Sequence, residues 1–264
     1  MLRYTPEAGR RGGRGAARCL LLLALAGAPA YAFEYRVSGV NGELRGNIQA
    51  HLGPAPSTPA GLARAREAAR SRALEALQAL GYYRPTVTVR ELARDGKELP
   101  ATAPAEQLER IELRVEPGER VHLGEVAIVL DGAGADDPAL RQCIAESALV
   151  PGAPLHHGRY SDFKRDLQAL ARARGYLQGA YRAHSLRVDP AAGEAAVELQ
   201  FTTGPRYRFG TVSHDAGQLD RERFEALQPF ASGEPYDEAS LQRFGRRLRD
   251  TGLFGSVAVV PLLD

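Results

Sequence analysis

The chain has 264 residues, of which 44% are hydrophobic and 25% charged, and its formal net charge is +2. This length suits one to three domains. Five arginines and one glutamate lie in the first 32 residues, so the rest of the chain carries about two net negative charges. The electrostatic basis for nucleic-acid binding is then lost, and no nucleic acid is expected as a partner.

The first 32 residues have the three parts of a secretory signal peptide. Five arginines precede a short apolar run from Cys19 to Ala28, and Ala30-Tyr31-Ala32 forms an A-x-A site. The run is too short for a membrane span, which needs roughly 20 apolar residues. We therefore expect cleavage after Ala32 and export from the cytoplasm. Cys143 is then the single remaining cysteine, so no intramolecular disulfide is expected.

Residues 33–118 predict a first module of order β-α-α-β-β. Apolar residues alternate from Phe33, which indicates a strand, and then recur every fourth position from Leu44, which indicates a short helix. An alanine-rich helix follows, with Ser57 or Thr58 as its N-cap and Gly81 as its stop. Two further alternating segments predict the last strands, one through Val87 and Val89, the other through Ile111, Leu113 and Val115.

Residues 119–204 predict a second module of the same order, in which the second helix is capped by Ser161 and ends at Gly175. Residues 205–264 predict a third. Its first strand spans 207–212, its second helix is capped by Asp237, and a strand through Val257 and Val259 follows Gly252. Only 12 residues follow that glycine, too few for a hairpin at about 3.3 Å per residue. The third module is therefore expected to lack its last strand, as in a fragment of a longer chain.

A nine-residue pattern recurs where the modules meet. Residues 118–126 read G-E-R-V-H-L-G-E-V, and residues 204–212 read G-P-R-Y-R-F-G-T-V. The two copies begin 86 residues apart, and each follows an alternating, strand-like segment. Repetition at a fixed period indicates a tandem array. Each copy is therefore predicted to join the last strand of one module to the first strand of the next.

Four stretches carry a family resemblance: 79–86 (A-L-G-Y-Y-R-P-T), 160–164 (Y-S-D-F-K), 206–210 (R-Y-R-F-G) and 246–257. In this order they resemble the POTRA domains of outer-membrane assembly proteins, the TamA family in particular. The resemblance implies an α+β fold of tandem POTRA modules, each with a small mixed three-stranded sheet and two helices on one face. The series of roughly ten-residue alternating strands that marks a membrane β-barrel is not found in this sequence.

The same resemblance implies a non-enzymatic, periplasm-facing protein associated with the outer membrane. Its implied partners are a TamB-like inner-membrane-anchored protein and unfolded outer-membrane or autotransporter precursors. Membrane contact would come only through a barrel that this sequence does not include. Two other interpretations stay open: a BamA-like factor or two-partner secretion transporter, and a free-standing periplasmic binding or adaptor protein. The missing third strand argues against the free-standing protein.

No catalytic, cofactor or metal site is expected, because G-x-S-x-G, P-loop and H-E-x-x-H motifs are missing from the sequence. His156 and His157 are adjacent, which makes a poor chelating pair, and a solvated loop before a helix is the better interpretation. Cys143 is predicted to be a small buried hydrophobe. The arginines at 64, 66, 70 and 72 are predicted to lie on a solvated helix face, with a lipid or partner patch as the alternative.

Small sheets of this kind leave strand edges to which an extended polypeptide can add through main-chain hydrogen bonds. Such binding asks little of side-chain sequence, which suits unfolded precursors. The candidate partner-binding residues lie on one predicted strand of each module: Thr86, Val87, Thr88, Val89, Leu186, Val188, Val257 and Val259. The sequence does not show which of these strands lie at an edge.

Overall fold

The computed structural model describes residues 33–212 and 220–261, so the predicted signal peptide and the site after Ala32 lie outside it. Module one contains β1 (Glu34–Ser38), α1 (Gly42–Leu52), α2 (Pro59–Ala79), β2 (Thr86–Leu92) and β3 (Arg110–Glu116), with a 3-10 turn at Ala105–Gln107. Module two contains β4 (His122–Asp131), α3 (Pro138–Ala145), α4 (His157–Ala173), β5 (Ala180–Asp189) and β6 (Glu194–Thr202). Module three contains α5 (Arg221–Leu227) and α6 (Glu238–Asp250).

Each of the first two modules has one three-stranded mixed sheet with the same topology. The strand orders are β1-β3-β2 and β4-β6-β5, so the last strand in sequence is the central one. It pairs parallel to the first strand and antiparallel to the second. This confirms the predicted α+β fold and places β1, β2, β4 and β5 at sheet edges.

The helices of module one cover one face of its sheet. Ile111, Leu113 and Val115 alternate along β3 and are fully buried. The alanines of α2 at 65, 69, 73 and 76 are buried as well, and their small side chains let α1 pack closely against α2. Thr58 caps α2, since its Oγ1 accepts a hydrogen bond from the Gly61 N–H at 3.1 Å.

Helix α4 begins earlier than the sequence predicted. Its N-cap is His156, whose Nδ1 accepts a hydrogen bond from the Arg159 N–H at 3.3 Å, and Ser161 lies within the first turns. The prediction of Ser161 as the cap was therefore wrong. The chain before α4 is held against β4, because the Leu123 N–H donates to the Ala153 carbonyl at 2.8 Å. This long-range contact fixes where the helix begins.

Module three has an aromatic core and, in its described residues, no paired strand. Phe209 and Phe230 stack with ring centroids 3.7 Å apart, and Phe244 meets Phe230 edge-on. The strand predicted over 207–212 is reduced to one bridge, Arg208 to Pro235.

The strand predicted through Val257 and Val259 is not formed, and these side chains pack against the aromatic core instead. In modules one and two the central strand supplies the hydrogen bonds that the second strand needs. Module three has no equivalent of that central strand among its described residues.

None of the helices within 33–212 and 220–261 combines the length and apolarity required to cross a lipid bilayer.

Candidate partner-binding edges and inter-module joints

Strand β2 lies at an edge, and most of it has no neighbour on its outer side in the described structure. The Leu99 N–H donates to the Glu91 carbonyl at 2.8 Å, and Leu92 bridges Glu98, so a loop covers only the end of the strand. The candidate residues Thr86, Val87, Thr88 and Val89 all precede that loop. On its outer side, their backbone has no partner strand within the described residues.

Strand β5 is the equivalent edge of the second sheet. Leu186 and Val188 turn partly buried side chains toward the hydrophobic core, while Arg182, His184 and Arg187 are exposed. A register shift between Tyr181 and Ala183 interrupts the ladder near the start of the strand. A continuous segment from Ala183 to Asp189 thus pairs with β6 on one side only, within the described residues.

Strands β1 and β4 are edges that the sequence analysis did not propose. The beginning of β4 is covered, because residues 152–154 bond to Leu123 and His122. Further along, Val129 is 50% exposed. Strand order follows from long-range pairing, so local periodicity gave no signal for these edges.

The joint between modules one and two is built by Arg120, whose role the sequence analysis did not assign. Its Nε donates to the Leu80 carbonyl at 2.8 Å, and its Nη2 donates to the Leu155 carbonyl at 3.3 Å. Its guanidinium lies over the Tyr82 ring, 5.5 Å from the centroid. The next residue, Val121, donates its N–H to the Gly81 carbonyl at 2.9 Å.

The joint between modules two and three repeats this geometry. The Arg206 Nε donates to the Arg174 carbonyl at 2.9 Å, and the guanidinium lies 5.8 Å from the Tyr176 ring centroid. Tyr207 donates its N–H to the Gly175 carbonyl at 2.8 Å. The arginine of the recurring Gly-x-Arg motif therefore docks each joint onto the end of the preceding helix. The repetition of the motif was the sequence signal for this contact.

Both glycines at these helix ends are required by their surroundings. Gly81 and Gly175 have φ values of +90° and +91°, and both are buried by the following module. A methyl group on Gly81 would lie 2.6 Å from the Leu155 carbonyl oxygen, and one on Gly175 would lie 3.1 Å from the Tyr236 Cβ. The close approach of one module to the next thus depends on the absence of a side chain at these two positions.

The adjacent histidines lie in the first joint and not in a solvated loop, which corrects the sequence interpretation. The Tyr83 hydroxyl and the His157 Nε2 are 2.5 Å apart, and the His156 Nε2 is 3.4 Å from the Glu43 carboxylate. Both contacts cross from module one to module two. Burial, together with the neighbouring His156, lowers the pKa of His157 below its usual value.

This lowered pKa predicts that acidification destabilises the chain. The folded state holds His157 neutral, whereas the unfolded chain takes up a proton near pH 6.5, so stability is full above that pH and falls below it. We expect the urea midpoint to decrease between pH 7.5 and 5.5, and to decrease less in His157→Gln. The matched control is His51→Gln, an exposed histidine, which should keep the wild-type slope; equal slopes in all three proteins would contradict the assignment.

Asp137 forms a buried polar cluster in module two. Its carboxylate accepts hydrogen bonds from the Arg174 Nε at 2.9 Å and from the Tyr176 hydroxyl at 3.1 Å. It also caps α3 by accepting from the Ala139 N–H at 3.0 Å. Burial by itself would raise the pKa of Asp137, but these hydrogen bonds outweigh it and lower the pKa. The cluster places Arg174 and Tyr176, the two residues on which Arg206 docks.

The remaining candidate chemistry has structural explanations. Cys143 is partly buried between α3 and α4, where burial and the nearby carboxylates of Asp166 and Glu146 raise the pKa of its thiol. The predicted solvated arginine face is wrong for Arg66, whose guanidinium pairs with Glu91 at 2.6 Å in a largely buried position. Within the described ranges, no three potential metal ligands come together.

Residues 34–103 match the family described as POTRA domain, TamA domain 1. The match lies within module one and spans most of its residues. Over the longer chain, three solved structures show a likeness. A Haemophilus influenzae BamA structure of POTRA3-5 is 16% identical with TM-score 0.45, covering 87% of this chain and 88% of its own.

The other two are POTRA1-3 of the periplasmic domain of Omp85 from Anabaena and CdiB from Escherichia coli. The first is 18% identical with TM-score 0.32, covering 86% of both chains. The second is 16% identical with TM-score 0.23, covering 67% of this chain and 28% of its own.

Proposed function

We propose that this chain is the POTRA region of an outer-membrane assembly or secretion protein of the Omp85 superfamily, of the TamA kind. It acts as a non-catalytic, periplasmic scaffold. The observation that carries the proposal is the family match over residues 34–103, on a module whose second strand is a free edge. The proposed ligands are unfolded outer-membrane or autotransporter precursors, and the proposed docking partner is a TamB-like inner-membrane-anchored protein.

Strand addition at β2 and β5 is the proposed mode of binding. Backbone groups on the outer side of Thr86–Arg90 have no partner strand in the described structure, and an extended polypeptide satisfies them without a specific side-chain sequence. The exposed Thr86 and Thr88 leave the solvent face unobstructed, while Val87 anchors the strand to the core. An edge of this kind suits ligands that share extended conformation but not sequence.

Disulfide trapping tests this mode directly. Thr88 on β2 faces Arg114 on β3 in register, and both are exposed. A strand added to β2 would lie about 5 Å from residue 88 but about 10 Å from residue 114. A disulfide spans Cα separations only up to about 7 Å. A precursor peptide with one cysteine should therefore cross-link to Thr88→Cys and not to the matched control Arg114→Cys.

The experiment uses the full chain with Cys19 and Cys143 replaced by serine, so that each variant carries one thiol. Varying the position of the cysteine along the peptide should shift the yield in steps of two residues, because successive side chains of a strand alternate between faces. Equal cross-linking of the two variants at every peptide position would refute strand addition at this edge.

A further inference from the structure

The first joint holds two histidines at the beginning of α4, and each of them contacts module one. The His157 Nε2 lies 2.5 Å from the Tyr83 hydroxyl, and the His156 Nε2 lies 3.4 Å from the Glu43 carboxylate. Tyr83 follows α2, and Glu43 lies in the first turn of α1. Part of the contact between the modules is therefore made by two side chains that can take up protons near neutral pH.

The second joint is built on the same backbone contacts as the first. At the first joint the Leu155 N–H donates to the Val121 carbonyl at 2.9 Å, and at the second the Tyr236 N–H donates to the Tyr207 carbonyl at 3.0 Å. Val121 and Tyr207 are the residues that follow the docking arginines. Leu155 and Tyr236 are therefore equivalent positions, and so are the residues that come directly after them.

The residues after those two positions differ in chemistry between the joints. In the first joint they are His156 and His157. In the second they are Asp237 and Glu238, and Asp237 caps α6 by accepting from the Ser240 N–H at 2.8 Å, as His156 caps α4. Carboxylates ordinarily stay charged down to about pH 4, whereas imidazoles gain a proton near pH 6.5. Of these four side chains, the two in the first joint are the ones that respond near neutral pH.

Protonation of His156 is incompatible with its role as a cap. Its Nδ1 accepts the Arg159 N–H at 3.3 Å, so the ring proton of the capped state lies on Nε2. An imidazolium has a proton on both nitrogens, cannot accept that bond, and adds positive charge at a helix N-terminus. The Glu43 carboxylate opposes this by attracting the charged ring, but its side chain is 61% exposed, so water screens most of the attraction.

Protonation of His157 places a charge inside the contact between the modules. The ring is half-buried, and burial together with the neighbouring His156 lowers the pKa of His157 below its usual value. Separating the modules would expose the charged ring to water, so acid favours the open joint. Other charged or titratable residues on the elements packed here are Glu43 of α1, Arg159 of α4, His122 of β4, and Arg84, Glu119 and Arg120 around Tyr83 and Leu155.

We propose that the first joint is a proton-sensitive hinge. Uptake of protons by His156 and His157 below about pH 6.5 weakens the docking of α4 on module one, while the second joint stays docked. The hinge acts between modules that remain folded, so it is distinct from the change in unfolding free energy described above. Because β2 belongs to module one and β5 to module two, opening changes how these two edges lie relative to each other, whatever ligand they bind.

Distances between spin labels on the full chain test the hinge. Each protein carries Cys19→Ser and Cys143→Ser, so that the labels attach only at introduced cysteines. Ser71→Cys on α2 with Gln168→Cys on α4 spans the first joint. Gln168→Cys with Gln242→Cys on α6 spans the second joint. All three labelled positions are exposed, so the labels leave the cores undisturbed.

We expect the distance distribution across the first joint to broaden between pH 7.5 and 5.5, while the distribution across the second joint stays the same. A histidine that is charged in the open joint and neutral in the closed one raises the ratio of open to closed molecules about tenfold over this interval.

The double variant His156→Asn with His157→Gln should match the wild type at pH 7.5 and lose the response to acid. Asparagine is among the best N-cap residues, and neither new side chain titrates. The matched control is His51→Gln, an exposed histidine in the last turn of α1, which should keep the full response.

Three results would overturn the proposal: an unchanged distribution across the first joint, an equal broadening across both joints, and a full response in the double variant. Far-ultraviolet circular dichroism at both pH values reports whether the helices stay folded. A loss of helix signal at pH 5.5 would also contradict the hinge, because acid would then unfold a module instead of opening a joint.

Discussion

Replacing Gly81 by alanine is expected to open the first joint, whereas the same change at Gly252 leaves the fold intact. Both glycines have positive φ, +90° and +69°, so each substitution carries a similar left-handed strain of about 1–2 kcal/mol. Only at Gly81 does the added methyl group meet a neighbour, the Leu155 carbonyl oxygen at 2.6 Å. The difference between the two variants therefore isolates the clash, which we expect to cost about 1–3 kcal/mol more.

Hydrogen exchange at the Val121 N–H measures this opening, because that N–H donates to the Gly81 carbonyl across the joint. We expect faster exchange at Val121 in Gly81→Ala, while amides in the centre of β3 keep their protection. Urea unfolding of both variants gives the difference in free energy. Matched unfolding midpoints for Gly81→Ala and Gly252→Ala would show that the joint tolerates the methyl group.

Replacing Asp137 by alanine is expected to destabilise module two by about 2–4 kcal/mol. The substitution removes the N-cap of α3, and it leaves the Tyr176 hydroxyl and the Arg174 guanidinium without their acceptor. The matched control is Asp237→Ala, which removes the exposed N-cap of α6 and should cost about 1 kcal/mol. Urea midpoints of the two variants give the difference. If the two midpoints decrease by the same amount, the buried hydrogen bonds of Asp137 contribute no stability beyond that of the N-cap.

The Asp137 carboxylate also predicts a loss of folding stability in acid. The pKa of Asp137 is lowered in the folded state, so its contribution is complete above the unfolded value near 3.8 and is lost as pH falls through the folded value. Wild-type stability should therefore drop below about pH 4 more steeply than that of Asp137→Ala. Because Arg206 docks on Arg174 and Tyr176, the variant should also loosen the second joint, seen as faster exchange at the Tyr207 N–H.

Local signals in the sequence predicted the order of elements well. Thr58 as a cap, Gly81 and Gly175 as helix stops, and alternation at Ile111, Leu113 and Val115 all match the structure. Each depends on a few neighbouring residues, since capping, left-handed glycine and strand periodicity act within one or two turns. The 86-residue repeat likewise marked the joints before any contact was known.

The functional surfaces were harder to predict. The sequence named β2 and β5 as candidates but could not place them at an edge, and it overlooked β1 and β4. Strand order depends on which segments pair across the module, for example Thr88 with Arg114, and such pairing leaves no local pattern. Val257 and Val259 have the alternation of a strand, yet they form none without a hydrogen-bonding neighbour in the described structure.

What the sequence determined by itself is the order of helices and strands in the first two modules and where several helices end, because periodicity, caps and positive-φ glycines are properties of short segments. Only the tertiary structure decided what the repeated Gly-x-Arg motif does. The Arg120 and Arg206 hydrogen bonds, the His156–Glu43 contact and the Asp137–Arg174 pair all join residues that are 32 or more positions apart in the sequence. Their roles come from the close approach of modules, which the linear pattern does not record.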